Sequence, residues 1–237
     1  MPVLSVQNLE IVRGQASQAF KVSLPNLVLS AGEAIAVTGS SGCGKSTLIE
    51  ALGLILEPSR LDRFELVGQD ITAIVNAQHT KHDQALSMLR SQHYGFVPQI
   101  NGLLPYLNVQ QNIGLQAQIQ GRAIDMPWLA HATEKLGLAS LTKRYARELS
   151  IGQRQRVSFL RAIAHRPDIL LADEPTAALD PDHAINLFEV MLELARDLQV
   201  ATVVVTHEWD LVKSFGLKRL MAKSVGPSHM TFEPWQA

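Results

Sequence analysis

The chain reads as an α/β fold: a mostly parallel sheet covered on both faces, with antiparallel strands near the N-terminus and an inserted α-helical subdomain. Three features carry that expectation. Strand-like apolar runs alternate with helical periodicity, the pattern of parallel strands joined by helices. One run, Glu33–Thr38, leads directly into a glycine-rich loop and then a helix. Another, Asp168–Ala172, ends in two adjacent carboxylates, Asp173 and Glu174.

Each element follows in chain order. Apolar positions Val3, Leu4, Val6, Leu9 and Ile11, then Phe20, Val22, Leu24, Leu27 and Leu29, read as short antiparallel strands with a turn at Arg13-Gly14-Gln15. Glu33–Thr38 is apolar with a β-branched end, as a buried parallel strand is. After it, Leu48, Ile49, Leu52 and Ile55 recur at helical spacing. Phe64–Val67, closed by Gly68, is a further strand. Residues 69–93 are polar and show no clear period. Tyr94–Pro98 is a strand stopped by proline. Residues 100–158 read as mainly helical. Asp125 caps a helix with Pro127 early and Gly137 as its stop. Ser150–Gln153 fits an S-x-x-Q capping box that opens a helix to about Ala164. Asp180-Pro181 starts another helix, with Ile185, Phe188, Leu192 and Leu194 mainly on one broad face. Val200–Thr206 is a β-rich strand. Trp128, Trp209 and Trp235 read as packing residues, and Arg154, Arg156 and Arg161 as a solvated helix face.

Composition narrows the possible functions. The chain has 237 residues, of which 46% are hydrophobic, so it builds a globular core. The 21 basic and 22 acidic residues leave a formal net charge of −1. No long-range field draws it to nucleic acid, and ligand binding must come from local geometry. No apolar run approaches the ~18–20 residues of a membrane span. Met1–Glu10 lacks the basic-then-apolar order of a signal peptide. The single cysteine, Cys43, excludes an internal disulfide and suits a reducing cytosol.

Residues 39–46 read Gly-Ser-Ser-Gly-Cys-Gly-Lys-Ser, followed by Thr47, and match G-x-x-x-x-G-K-[ST] at every fixed position. Gly39, Gly42 and Gly44 let the backbone wrap phosphate oxygens, because no Cβ intervenes. The loop amides then act as donors. Lys45 adds a point charge at the β- and γ-phosphates, and the Ser46 hydroxyl is placed to ligand Mg²⁺. Strand, glycine loop and helix is the order that a phosphate site at a helix N-terminus requires. Cys43 reads as a small tolerated residue. The sharper alternative is a thiol acidified by the helix N-terminus and open to alkylation. Asp173 and Glu174 stand at the C-terminal edge of a parallel strand, where such sheets bind ligands. Asp173 can hold Mg²⁺ through water. Glu174, on the other side of the pleat, can polarise an attacking water.

These motifs together resemble those of ABC transporter ATPases. Leu149-Ser-Ile-Gly-Gln153 is similar to their LSGGQ signature, with Ile151 in place of a glycine. Gln99, after Phe96-Val97-Pro98, resembles the Q-loop. Leu179-Asp180 resembles the D-loop, and His207 in Val205-Thr-His-Glu208 the switch histidine. Order and spacing agree from Val3 to about Leu211. The resemblance implies a P-loop NTPase (RecA-like) fold in one domain over 1–237. Its nucleotide-binding core lobe would cover about 1–99 and 159–237, and its helical signature subdomain about 100–158. It implies that ATP is held by Gly39, Ser40, Ser41, Gly42, Cys43, Gly44, Lys45, Ser46 and Thr47. Ser46 and Gln99 would ligand Mg²⁺ and Asp173 would do so indirectly. Glu174 would act as base or water-orienting acid and His207 would contact the γ-phosphate. Ser150, Gly152 and Gln153 would close over the ATP of a second copy, so the working form is a homodimer. The family's adenine-stacking aromatic is replaced by Arg13, a residue that can also stack on a base, and Phe20 is the nearest aromatic. The usual Asp-Gly turn is absent from Ala222–Gly226.

The Leu103-Leu104-Pro105 run and the Asn108–Asn112 stretch are similar to the lipoprotein-release and macrolide-export group of that family. This implies an integral membrane transporter subunit as partner, received by a groove at residues ~100–130. It further implies export or extraction from the bilayer, and a place on the cytoplasmic face of the inner membrane. An importer ATPase, or a cell-division type regulator without transport, is the alternative within the family. Outside it, Thr80-Lys-His-Asp83 matches the guanine-reading pattern of GTPases but lies on the wrong side of the Asp173-Glu174 strand. A catalytically dead binding module fits poorly with the presence of both Glu174 and His207.

Overall fold

A computed structural model describes residues 2–15, 19–77, 83–100 and 102–235. Strands β1 (Pro2–Arg13) and β2 (Phe20–Ser30) are long antiparallel partners, with Arg13 opposite Phe20. β3 (Ala34–Thr38) feeds the glycine loop and α1 (Lys45–Leu52). The helix ends before Ile55. Leu54 turns into the left-handed region at φ 58°, and Ile55 is exposed rather than packed.

β4 (Arg63–Leu66) is the strand expected at Phe64–Val67, and the polar stretch at 69–93 contains β5 (Gln69–Asp70), α2 (Thr72–Asn76) and α3 (Asp83–His93). Of the Thr80-Lys-His-Asp83 pattern, the first three residues lie outside the described residues. β6 (Tyr94–Val97) follows. The helical stretch holds α4 (Val109–Ile119), α5 (Met126–Lys135), two short 3₁₀ turns and α6 (Ile151–Ile163). β7 (Ile169–Asp173), α7 (Pro181–Asp197), β8 (Ala201–Val205), α8 (Trp209–Ser214), β9 (Lys218–Gly226) and β10 (His229–Pro234) complete the order.

Among the described residues one ten-stranded sheet runs β5-β4-β1-β2-β10-β9-β3-β8-β7-β6. The segment β9-β3-β8-β7-β6 is parallel throughout. The β1–β2 and β1–β4 pairs are antiparallel, as expected near the N-terminus. The β9–β10 hairpin was not expected. Ala222–Gly226 is strand, and the turn falls at Pro227-Ser228.

Alternate residues of the central strands feed two cores, the signature of a sheet covered on both faces. Ile169 and Leu171 of β7 pack with α1, β1 and β2. Leu170 and Ala172 pack with α4, α5, α6 and α7. On α7 the buried stripe is Ala184, Leu187, Phe188, Met191, Leu192, Leu194 and Ala195. Ile185 sits beside that stripe and is exposed, which corrects the expected face. α6 lies directly on β6. A Cβ on Gly95 would come within 2.0 Å of the Ala162 carbonyl oxygen.

Candidate active site

β3 delivers the glycine loop at the C-terminal edge of the parallel strands. Gly44 caps α1 at φ 95°, and a Cβ there would stand 2.5 Å from Val22 Cγ2. Both facts require glycine. No side chain caps α1, so its first amides remain available as donors. Lys45 is buried, and its Nζ donates to the carbonyls of Gly39 and Ser40 at 3.0 Å each. Ser40 and Ser41 line the same pocket, Ser46 is exposed and Thr47 half-buried. Cys43 is buried in the first core, which removes the exposure that alkylation needs.

Asp173 ends β7 and is 9% exposed. Burial pushes its carboxyl above the ordinary 3.8. A hydrogen bond from the Ser46 hydroxyl opposes this, Glu174 and Glu50 add to it, and Lys45 opposes it. Its Oδ1 is buried without a partner. An orphaned carboxylate oxygen beside a serine hydroxyl is a hard-oxygen donor set that fits Mg²⁺.

Glu174 reaches the pocket differently from the expected pleat alternation. The strand stops at Asp173, and Glu174 takes a left-handed backbone at φ 46°, its amide donating to the Val205 carbonyl at 2.9 Å. Positive φ is uncommon for a non-glycine residue and stores strain. The turn brings three expected residues together. Glu174 accepts from Gln99 Nε2 at 3.0 Å and faces His207 Nδ1 at 3.3 Å. Gly39, Ser40, Ser41, Lys45, Glu174 and His207 share one pocket. Trp209, Met221 and Ala222 complete its lining and were not expected there, since β9 was not read as a strand.

The signature residues stand apart from this pocket. Ser150 caps α6: its Oγ accepts from the Gln153 amide at 3.2 Å, and Gln153 Oε1 accepts from the Ser150 amide at 2.9 Å. A Cβ on Gly152 would stand 2.9 Å from Leu179 Cδ2. Ser150, Gly152 and Gln153 line their own groove with Leu179, Asp180 and His183. Asp180 accepts from the His183 amide at 3.3 Å and faces its Nδ1 at 2.8 Å, which holds the Asp180 carboxyl below its usual range. The α6 arginines are not a solvated face. Arg154 and Arg161 are half-buried and donate to the carbonyls of Leu149 (2.5 Å) and Gly102 (2.7 Å), and Arg156 donates to that of Leu136 at 3.4 Å.

Arg13 does not join the phosphate pocket. It pairs with Glu50 of α1 at 2.9 Å. Phe20, opposite it on β2, lies against the loop, 3.3 Å from where a Gly44 Cβ would stand.

A glycine loop capping a helix, with paired acids at the end of β7, one strand removed from β3 across β8, defines a P-loop nucleotide hydrolase. The ABC transporter family model matches residues 23–177. The lipoprotein-releasing system ATP-binding protein LolD of Oleidesulfovibrio alaskensis is 39% identical over 197 residues, 82% of each chain. The methionine import ATP-binding protein MetN of Cupriavidus necator is 34% identical over 194 residues, 79% of this chain and 53% of that one. The dimeric post-hydrolysis structure of the ATP-binding cassette MJ0796, bound to ADP and Pi, matches with TM-score 0.79 at 24% identity over 99% of both chains, a likeness of fold. The chain belongs to the ABC transporter family. It is an ATP-hydrolysing, ATP-binding subunit of a transporter. No helix among the described residues is long and apolar enough to cross a membrane.

Proposed function

We propose that two copies of the chain sandwich two ATP molecules and that closure of the sandwich drives a membrane-embedded subunit. One observation carries this reading. The phosphate pocket and the signature groove share no lining residue. A chain that holds ATP at Lys45 therefore needs Ser150, Gly152 and Gln153 from a second copy to cover it, and the N-terminus of α6 supplies a second anion site.

Within each site Lys45 and the amides of residues 39–47 bind the phosphates. Mg²⁺, held by Ser46, by Gln99 and indirectly by Asp173, supplies charge neutralisation when bound. The amide nitrogen of Gln99 is committed to Glu174, which leaves its carbonyl oxygen as the group for a cation. Glu174 takes the proton of the attacking water, and its left-handed turn fixes where that carboxylate stands. His207, whose Nδ1 faces Glu174, donates to the γ-phosphate. Phe20, beside the loop, supports the base better than Arg13 does.

The core lobe at about 1–99 and 159–237 and the helical lobe at about 100–158 move against each other in this reading. Between them runs a groove lined by Gly53, Arg90, Tyr94, Gly102, Leu115 and Arg161. More of its wall comes from residues 53–98 and 161–171 than from 100–130. It receives a cytoplasmic helix of the membrane subunit, and exposed Ile55 beside it offers apolar contact. The LolD relatives favour lipoprotein release at the cytoplasmic face of the inner membrane. The MetN relative favours import as the second reading.

Mixing two disabled variants tests the sandwich. Lys45→Ala loses its own phosphate site, and Ser150→Arg blocks the groove it offers to a partner. Each alone is expected to be inactive. Mixed, they form one site with both parts intact and regain activity. A mixture as inactive as its components would overturn the reading.

A further inference from the structure

Trp209, Arg219 and Trp235 form a stack beside the phosphate pocket. The Arg219 guanidinium lies 4.5 Å from the centroid of the Trp209 ring and 4.7 Å from that of Trp235. The two indoles meet edge to face at 6.4 Å and 86°. Among the described residues Arg219 has no carboxylate partner. A half-buried cation is thus held by two ring faces.

The stack bridges two parts of the site. Trp209 opens α8 two residues after His207 and lines the pocket. No side chain caps α8, so that helix start has no local anchor of the usual kind. Arg219 belongs to β9, which runs beside β3 with Ala36 opposite Arg219 and Thr38 opposite Met221. Met221 and Ala222 back the glycine loop, where a Cβ on Gly39 would stand 2.8 Å from Ala222 Cβ. The Trp235 amide donates to the Arg219 carbonyl at 2.8 Å.

His207 has little hold of its own. Its side chain is 59% exposed, and its hydrogen-bond partner is Glu174. Its place is therefore set by its neighbours. Thr206 is fully buried, and its amide donates to the Val37 carbonyl at 3.2 Å. Glu208 accepts from Thr176 Oγ1 at 3.0 Å. Trp209 is the downstream anchor.

We propose that Arg219 is a positioning residue for hydrolysis: by gripping Trp209 against Trp235 it holds the His207 loop at the phosphate pocket. This rests on the role given to His207 above. Steady-state ATPase kinetics, nucleotide affinity and melting temperature of Arg219→Ala, Arg219→Lys and Trp235→Leu test it, with His207→Ala alongside. Arg219→Ala and Trp235→Leu are expected to lower kcat about tenfold, because small misplacements near reacting atoms are costly. KM and affinity should hold within about twofold, and melting temperature should hold as well. Arg219→Lys keeps a cation between the rings and should recover most of the turnover. Wild-type kcat in both Arg219→Ala and Trp235→Leu would overturn the clamp. So would a fall in kcat matched by lost affinity or melting temperature. If Arg219→Ala does not fold, Trp235→Leu decides. Wild-type turnover in His207→Ala would overturn the reading beneath the clamp. A slow His207→Ala beside wild-type Arg219 and Trp235 variants would overturn the clamp alone.

Discussion

Asp173 is held in a position that costs the fold. Its carboxyl is buried, one oxygen lacks a partner, and burial raises its pKa above 3.8. A raised carboxyl binds its proton more tightly in the folded chain than in the unfolded one. The stability from that proton is full below the ordinary pKa and is lost as pH rises through the folded value. Near neutral pH the ionised group is a net cost. Asp173→Asn is therefore expected to raise the melting temperature in Mg²⁺-free buffer near neutral pH, and to lose that advantage as pH falls toward the ordinary carboxyl range. Its ATPase activity should fall, a stability gained at the expense of function. Glu174→Gln should slow hydrolysis by about 10²–10⁴-fold, the span for losing a general base. Single-turnover assays check both. The glycine loop and the two acids were legible because each works through fixed local spacing. The left-handed turn at Glu174 was not, since it depends on how β7 and β8 end side by side. The Trp209 stack was hidden for the same reason: residues 209, 219 and 235 meet only through the sheet.

Helix α6 shows what a short stretch of sequence can and cannot specify. Its capping box at Ser150–Gln153 is a local hydrogen-bond pattern, and the helix begins where the pattern places it. Ser150→Ala should cost about 1 kcal/mol of stability, the usual loss for a cap, measurable by urea unfolding. Where α6 packs is a tertiary fact. Gly95 sits in the middle of β6, and nothing around it in sequence marks it as the point where the Ala162 carbonyl touches the strand. Gly95→Ala should destabilise the chain by about 1–3 kcal/mol or more, as overpacking does. β9 and β10 show no clear alternation because their core contribution is small, chiefly Leu220 and Phe232, and Val225 faces outward. α3 was missed for a similar reason: its apolar residues Leu86 and Leu89 are only partly buried.

Seen whole, the chain keeps apart the two parts of the proposed ATP sandwich. The sheet sends Lys45, Asp173, Glu174 and His207 to one edge. α6 and α7 present Ser150 and Asp180 in a separate groove. A second copy is the simplest source of the missing half. The most direct check is the mass of Glu174→Gln in saturating ATP, measured by sedimentation or light scattering. The expected species is twice the 26.0 kDa chain, reverting when ATP is removed. A particle that stays at the mass of one chain with ATP bound would contradict it.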